Sequence, residues 1–70
     1  MNYTVIYETT QTGYSAYVPD LPGCVAAGET RTEVQQLIRS AIRSHLAMMQ
    51  SMGEPIPSPS TWSDTVTGLG

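Results

Sequence analysis

Hydrophobic and polar residues alternate along two short stretches near the start of the chain. Residues 3–8 alternate in a run that is rich in aromatic and β-branched residues, and residues 14–18 alternate again. This period is typical of strands that bury one face against a core. The intervening residues 9–13 have turn chemistry and end in Gly13, which favours an antiparallel hairpin. A third short strand is predicted over residues 24–28, where Ala26 and Ala27 leave room for a helix.

The longest periodic stretch predicts one helix that begins at about Arg31. Thr30 and Glu33 have the spacing of a capping box, in which the Thr30 hydroxyl accepts a backbone N–H and Glu33 reaches back to the cap residue. Gly53 is placed for a left-handed C-terminal cap, and Pro55 prevents continuation. Between these ends an apolar face recurs every three or four residues. Its members are Val34, Leu37, Ile38, Ala41, Ile42, His45, Met48, Met49 and Met52.

A stiff turn is predicted between the second and third strands. In the string Pro19-Asp-Leu-Pro-Gly23, two prolines fix φ on either side of Asp20, whose side chain can bond nearby backbone N–H groups. The pair Pro22-Gly23 fits the centre of a type II turn. Farther on, residues 61–67 include Trp62 and alternate weakly, so we treat them as an optional fourth strand.

Size and charge limit the functions open to this chain. Seventy residues form one small domain over 1–70, and a chain of this length buries only about 60% of its unfolded surface, so self-association or a partner is expected. It has no lysine, and its three arginines are outnumbered by six acids, for a formal charge of -3. This balance repels phosphate backbones and suits a basic protein partner instead.

No motif predicts a cofactor, a metal site or a membrane anchor. The single Cys24 cannot form an internal disulfide, and no Cys/His spacing matches a metal site. The glycines form neither a phosphate-binding loop nor a dinucleotide fingerprint. The longest apolar runs are too short to cross a bilayer, so we expect a soluble, cytoplasmic protein.

Two sets of side chains could be catalytic, and each has a simpler structural interpretation. Cys24 and His45 could form a thiolate and base, but a lone cysteine on a short strand is usually a small buried hydrophobe. Four acids could hold metal ions for nucleic-acid cleavage. Each of them also has a structural reason for its position, and Asp20 is explained by the hydrogen bonds that its side chain can form within the turn. They are Glu8, Asp20, Glu29 and Asp64. We therefore predict a protein that is not an enzyme.

Three surface features remain open as binding sites. The methionines at 48, 49 and 52 could adapt to a partner, although their period favours core filling. Arg39 and Arg43 lie one helical turn apart and could meet an acidic partner, although a solvated face is the simpler interpretation. The strand over residues 24–28 could add another chain at its free edge, or be protected by its brevity.

The turn string and several spaced markers together resemble the HicB family of antitoxins, over residues 3–58. The family is bacterial and archaeal, and the markers occur in its order. They are Gly13, Pro19, Asp20, Leu21, Pro22, Gly23, Cys24, Gly28, Gly53 and Pro55. The resemblance implies an α+β domain of degenerate ribonuclease-H-like type. We expect a three-stranded antiparallel meander with one long helix packed on one face, and the optional fourth strand beside the first.

The same resemblance implies a function. Proteins similar to this one belong to type II toxin-antitoxin modules and bind a small, basic, mRNA-cleaving HicA-like toxin, covering its catalytic histidine. The implied binding surface draws on the sheet and the turn. Its candidate residues here are Asp20, Leu21, Pro22, Gly23 and Cys24.

One departure from the family leaves other functions open. Many members continue into a DNA-binding domain, which we expect to be absent from residues 1–70, so autorepression is not expected. A stand-alone homo-oligomeric regulatory or scaffolding domain without a toxin partner is the first alternative. A residual metal-dependent nuclease acting through Asp20 is the second.

Overall fold

Three strands followed by one helix form the domain in the computed structural model, which describes residues 2–68. The strands are β1 (Ile6–Thr9), β2 (Tyr14–Tyr17) and β3 (Val25–Gly28), and the helix is α1 (Arg31–Ser51). The sheet is antiparallel in the order β1-β2-β3. The predicted α+β class and the meander are confirmed.

The β1–β2 hairpin is closed by a tight turn that presses against the end of β3. The N–H of Thr10 donates to the carbonyl of Gly13 at 2.8 Å. A Cβ atom on Gly13 would lie 2.3 Å from the carbonyl oxygen of Gly28 and 2.8 Å from the Cα of Glu29. Only a residue without a side chain fits between the hairpin turn and the end of β3.

The core lies between one face of the sheet and α1. The fully buried side chains come from β2, the turn after it and two successive turns of the helix. They are Ala16, Val18, Leu21, Cys24, Val34 and Ile38. Ala26 packs against this cluster, as its small size predicts, whereas its neighbour Ala27 faces the other side of the sheet and is exposed.

Both predicted ends of the helix are confirmed. The hydroxyl oxygen of Thr30 accepts a hydrogen bond from the N–H of Glu33 at 3.1 Å. At the other end Gly53 has a φ of 72°, and its N–H donates to the carbonyl of Gln50 at 3.2 Å. The N–H of Glu54 donates to the carbonyl of Met49 at 2.9 Å, which completes a Schellman cap.

The buried face of the helix is narrower than the sequence pattern predicts. Leu37 remains 44% exposed, and Met48 and Met52 are exposed as well. A helix of 21 residues is about 31 Å long, whereas a four-residue strand spans about 13 Å, so the last turns of α1 have no sheet beneath them. Core filling is therefore the wrong interpretation for Met48 and Met52, although Met49 packs against the core.

The optional fourth strand does not form in the described part of the tail. The hydroxyl of Tyr3 donates to the carbonyl of Pro57, and the hydroxyl of Thr4 donates to the carbonyl of Thr61 at 2.6 Å. Side chains, not a backbone ladder, therefore attach the tail beside the start of β1. The segment that leads up to residue 61 cannot form a ladder either, because its prolines at 55, 57 and 59 lack N–H groups.

Candidate functional site

The predicted turn between β2 and β3 is a rigid loop of two consecutive turns. The N–H of Leu21 donates to the carbonyl of Val18 at 3.1 Å, and the N–H of Cys24 donates to the carbonyl of Leu21 at 3.0 Å. A third bond, from the N–H of Val18 to the carbonyl of Cys24 at 3.1 Å, closes the loop. Gly23 has a φ of 85°, as the third position of a type II turn requires, so the predicted turn type is confirmed.

Burial divides four of the five candidate residues of this turn into two groups, and Asp20 is considered separately. The side chains of Leu21 and Cys24 are buried in the core. Pro22 and Gly23 are exposed at the tip of the second turn. A partner at this turn would therefore contact Pro22 and Gly23, while Leu21 and Cys24 hold the loop in shape from within.

Asp20 has a different role from the one its local sequence suggests. Its carboxylate accepts hydrogen bonds from the backbone N–H groups of Ser60, at 3.0 Å, and Thr61, at 2.9 Å. The hydroxyls of the same two residues each donate to it at 2.8 Å. The four donors lie about forty residues along the chain, so this half-buried carboxylate anchors the tail to the turn. Sequence reasoning missed Ser60 and Thr61, for which a serine-threonine pair after a proline is the only local signal.

These contacts also define the chemistry of the two candidate catalytic groups. The backbone N–H of Thr61, followed by that of Ser60, holds the pKa of Asp20 well below its ordinary value of 3.8. Burial raises the pKa of the Cys24 thiol, which is the reverse of what a nucleophilic thiolate needs. Within residues 2–68, no three histidine, cysteine or acidic side chains come together as metal ligands.

The face of the sheet opposite α1 is open, and we call it the open face. In the strand register, Ile6 pairs with Tyr17, and Tyr17 pairs with Val25, so these three side chains form a row across the sheet. Tyr17 is 39% exposed and Val25 is more exposed still. Glu8 lies on the same face in the next row. The open face therefore has an apolar row at one end of the sheet, with a carboxylate in the next row.

The exposed turn adjoins one end of the open face. The chain leaves the type II turn at Gly23 and enters β3 at Val25, which places the Pro22-Gly23 tip beside the apolar row. The turn and the open face together form one candidate binding surface. This surface includes the exposed part of the predicted site and adds Tyr17 and Val25. The alternating sequence pattern does not show which face of the sheet is exposed to solvent, so it could not identify these two residues.

Acidic side chains gather at the far end of the sheet from the turn. Glu29 and Glu33 line a shallow cleft of about 370 Å³ where β3 meets the helix. Glu8 borders a neighbouring cleft of about 330 Å³, which also contains Arg31. The three carboxylates make this end anionic, which suits a cationic partner.

Comparison with known proteins identifies the family. The family described as HicB-like antitoxin of bacterial toxin-antitoxin systems matches residues 3–68. The chain belongs to the HicB-like antitoxin family. The resemblance that the turn string and the spaced glycines indicate is therefore confirmed.

Relatives of this HicB-like chain differ in length. A UPF0150 protein of Thermoplasma acidophilum is 37% identical over 67 residues, which cover 94% of this chain and 97% of the relative. Antitoxin HicB 2 of Photorhabdus laumondii is 31% identical over 61 residues, covering 87% of this chain but 44% of the relative. A protein of Haemophilus phage HP1 is 37% identical over 57 residues, covering 81% and 43%. The chain thus spans less than half of the last two proteins.

A solved structure has the same fold. A chain of the HicA3 and HicB3 toxin-antitoxin complex superposes with a TM-score of 0.69 at 32% identity, covering 84% of this HicB-like chain and 69% of that chain. The family and the fold therefore agree with each other.

Proposed function

We propose that this HicB-like antitoxin binds a small, basic HicA-like toxin and covers its mRNA-cleaving active site. The observation that carries the proposal is its likeness to a chain of the HicA3 and HicB3 complex. The formal charge of -3 supports it, because opposite charges steer two proteins together and favour the correct partner.

We assign the toxin to the surface formed by the open face and the Pro22-Gly23 turn. Interfaces depend on a few well-packed anchors, and aromatic side chains are prominent among them. Tyr17 offers such an anchor, with Val25 beside it, and the rigid turn supplies a rim that needs little ordering on binding. Glu8 and the acidic end supply the attraction for basic side chains.

In this proposal the protein acts by occupying a site and not by catalysis. All four hydrogen bonds to Asp20 come from within the chain, and the raised pKa of Cys24 keeps its thiol protonated. Both groups are therefore used for structure. Because the toxin acts on mRNA, we expect the antitoxin to act in the cytoplasm. We also propose that residues 1–70 form one domain that makes no direct nucleic-acid contact, since its charge opposes it.

The test uses a small basic HicA-like toxin, with its binding to this chain measured by calorimetry. We expect a one-to-one complex, and we expect Tyr17→Ala to weaken it about 30-fold, the loss of about 2 kcal/mol that marks an anchor residue. Val25→Arg should weaken it further, because it places a positive charge against a basic toxin. Tyr7→Ala is the matched control, since Tyr7 is 45% exposed but lies on the helix side of the sheet.

Each failure of this experiment has a separate meaning. Unchanged binding by Tyr17→Ala and Val25→Arg would contradict the assigned surface but not the partner. No binding by the wild-type chain would contradict the antitoxin proposal. It would favour a stand-alone homo-oligomeric regulatory or scaffolding domain. The observation that favours this second candidate is that the match covers 97% of the Thermoplasma relative, so that relative is little more than this one domain.

A further inference from the structure

Trp62 is the most exposed aromatic side chain in the part of the chain that the structure describes. It is 80% exposed, although tryptophan is highly buried on average in folded proteins. Within residues 62–68, the hydrogen bond that the structure shows is a local one, from the N–H of Thr65 to the carboxylate of Asp64 at 2.8 Å. An exposed ring of this size has functional meaning if it adjoins a larger apolar surface.

The tail that leads to this ring passes from the helix side of the sheet to the side of the open face. Tyr3 and Val5 pack against the core, on the helix side. Thr4 lies between them, and neighbours in an extended chain point to opposite sides, so Thr4 faces the open side. The hydroxyl of Tyr3 donates to the carbonyl of Pro57. The hydroxyl of Thr4 donates to the carbonyl of Thr61 at 2.6 Å, so the tail has crossed to the open side by residue 61.

Asp20 fixes the point at which the tail arrives. Its carboxylate follows β2 and accepts hydrogen bonds from the N–H and the hydroxyl of Thr61, whereas Thr4 precedes β1. Thr61 is therefore held at the end of the sheet that carries the apolar row of the open face. Trp62 is the next residue, so it lies at the same end, close to the exposed tip of the turn.

We propose that Trp62 is a further anchor for the basic HicA-like toxin, held by Asp20 at the rim of the open face and buried when the toxin binds. This inference rests on the proposed function and adds a residue and a recognition chemistry to it. The face of an indole ring is the best aromatic partner for a Lys or Arg side chain, which a basic toxin offers. Asp64 supplies a carboxylate two residues further along the chain.

Asp20 is a positioning residue in this proposal. Its four hydrogen bonds from Ser60 and Thr61 fix the chain immediately before Trp62. A segment that is already held loses less entropy when a partner orders it. Asp20 therefore affects toxin binding through Trp62 and not by contact with the toxin.

The first measurement is the fluorescence of Trp62, which is the only tryptophan in the chain. The toxin is a HicA-like protein whose own tryptophans are replaced by phenylalanine. We expect the free chain to emit as indole does in water. On titration the emission should shift to shorter wavelength and saturate at one equivalent of toxin, and quenching by acrylamide should decrease.

The second measurement is the toxin dissociation constant, by calorimetry. Trp62→Ala should raise it about tenfold, as the loss of a desolvated contact between a cation and an aromatic ring predicts. Trp62→Phe should raise it less, because an aromatic ring remains. Met52→Ala is the matched control and should have no effect, since Met52 is 65% exposed but lies at the end of the helix. Circular dichroism checks that every variant keeps its fold.

A double-mutant cycle tests the positioning role of Asp20. Asp20→Ala alone should weaken binding, and Trp62→Ala should cost far less than tenfold in that background, because the ring is no longer held in place. Thr61→Val is a milder variant for the same cycle, since it removes one hydroxyl donor and keeps the N–H. Equal costs of Trp62→Ala with and without the tail anchor would overturn the positioning role.

The outcomes separate this inference from the proposed function. No complex with the toxin would overturn both. A complex that forms without a shift in emission, and that Trp62→Ala does not weaken, would overturn this inference alone. Emission from the free chain that already lies at short wavelength would also overturn it, because Trp62 would then be covered before the toxin binds.

Discussion

Leu21→Ala should destabilise the domain severely, because this one side chain joins the turn to the core. Leu21 is 0% exposed and lies between the two turns that shape the loop. Alanine leaves a cavity that neither turn can collapse into, since the loop is closed by the Val18–Cys24 hydrogen bond. A change in this turn therefore affects folding before it affects binding.

The expected magnitude follows from burial. Leucine-to-alanine changes at fully buried sites cost about 2–5 kcal/mol. A stable domain of 70 residues has roughly 4–10 kcal/mol in total. The substitution thus removes about half of the free energy of unfolding. At about 4–8 °C per kcal/mol for a domain of this size, a loss of about 3 kcal/mol lowers the Tm by roughly 12–24 °C.

The assay is urea denaturation followed by far-UV circular dichroism, because Trp62 is too exposed to report on the core. Leu37→Ala is the matched control: it removes the same atoms from a side chain that is 44% exposed, and it should cost about 1 kcal/mol. If the two variants unfold within about 0.5 kcal/mol of each other, the reasoning that places Leu21 at the centre of the fold is wrong.

Two further predictions concern the tail anchor and the hairpin. The free energy of unfolding should fall as the pH drops below about 3.8. The Asp20 carboxyl takes up a proton there in the unfolded chain, whereas the folded protein keeps it ionised. Above that pH the contribution of Asp20 to stability should not change. Asp20→Asn should reduce that slope in urea denaturation at several pH values, and an unchanged slope would contradict the role of Asp20. Gly13→Ala should cost about 1–3 kcal/mol by the same measurement, because its Cβ meets the Gly28 carbonyl, whereas Gly68→Ala, which meets nothing within 4 Å, should be neutral. Equal stabilities for the two alanine variants would contradict the close approach.

The elements that the sequence predicts correctly are those set by local chemistry. The type II turn needs a proline followed by a residue that tolerates positive φ, and Pro22-Gly23 supplies both. The helix begins where the Thr30 hydroxyl can accept an N–H and ends where Gly53 can adopt a left-handed conformation. Each of these signals lies within a few residues of its effect, so it can be read without knowing the fold.

What the sequence could not supply depends on contacts between distant segments. The groups that donate hydrogen bonds to Asp20 lie about forty residues away along the chain. The turn sequence already accounted for an aspartate at this position, so nothing pointed to these distant donors. The exposure of Met48 and Met52 follows from the relative lengths of the helix and the strands, which periodicity does not contain. The open face could be identified only once the register had placed Tyr17 and Val25 on the side away from the helix.

The most direct test of the proposed function is the rate of mRNA cleavage by a small basic HicA-like toxin as this protein is added. We predict that cleavage stops at one equivalent of the wild-type chain, and that about 30-fold more of the Tyr17→Ala variant is needed under conditions where its dissociation constant governs inhibition. Undiminished cleavage at saturating wild-type protein, with a complex demonstrably formed, would contradict occlusion of the active site.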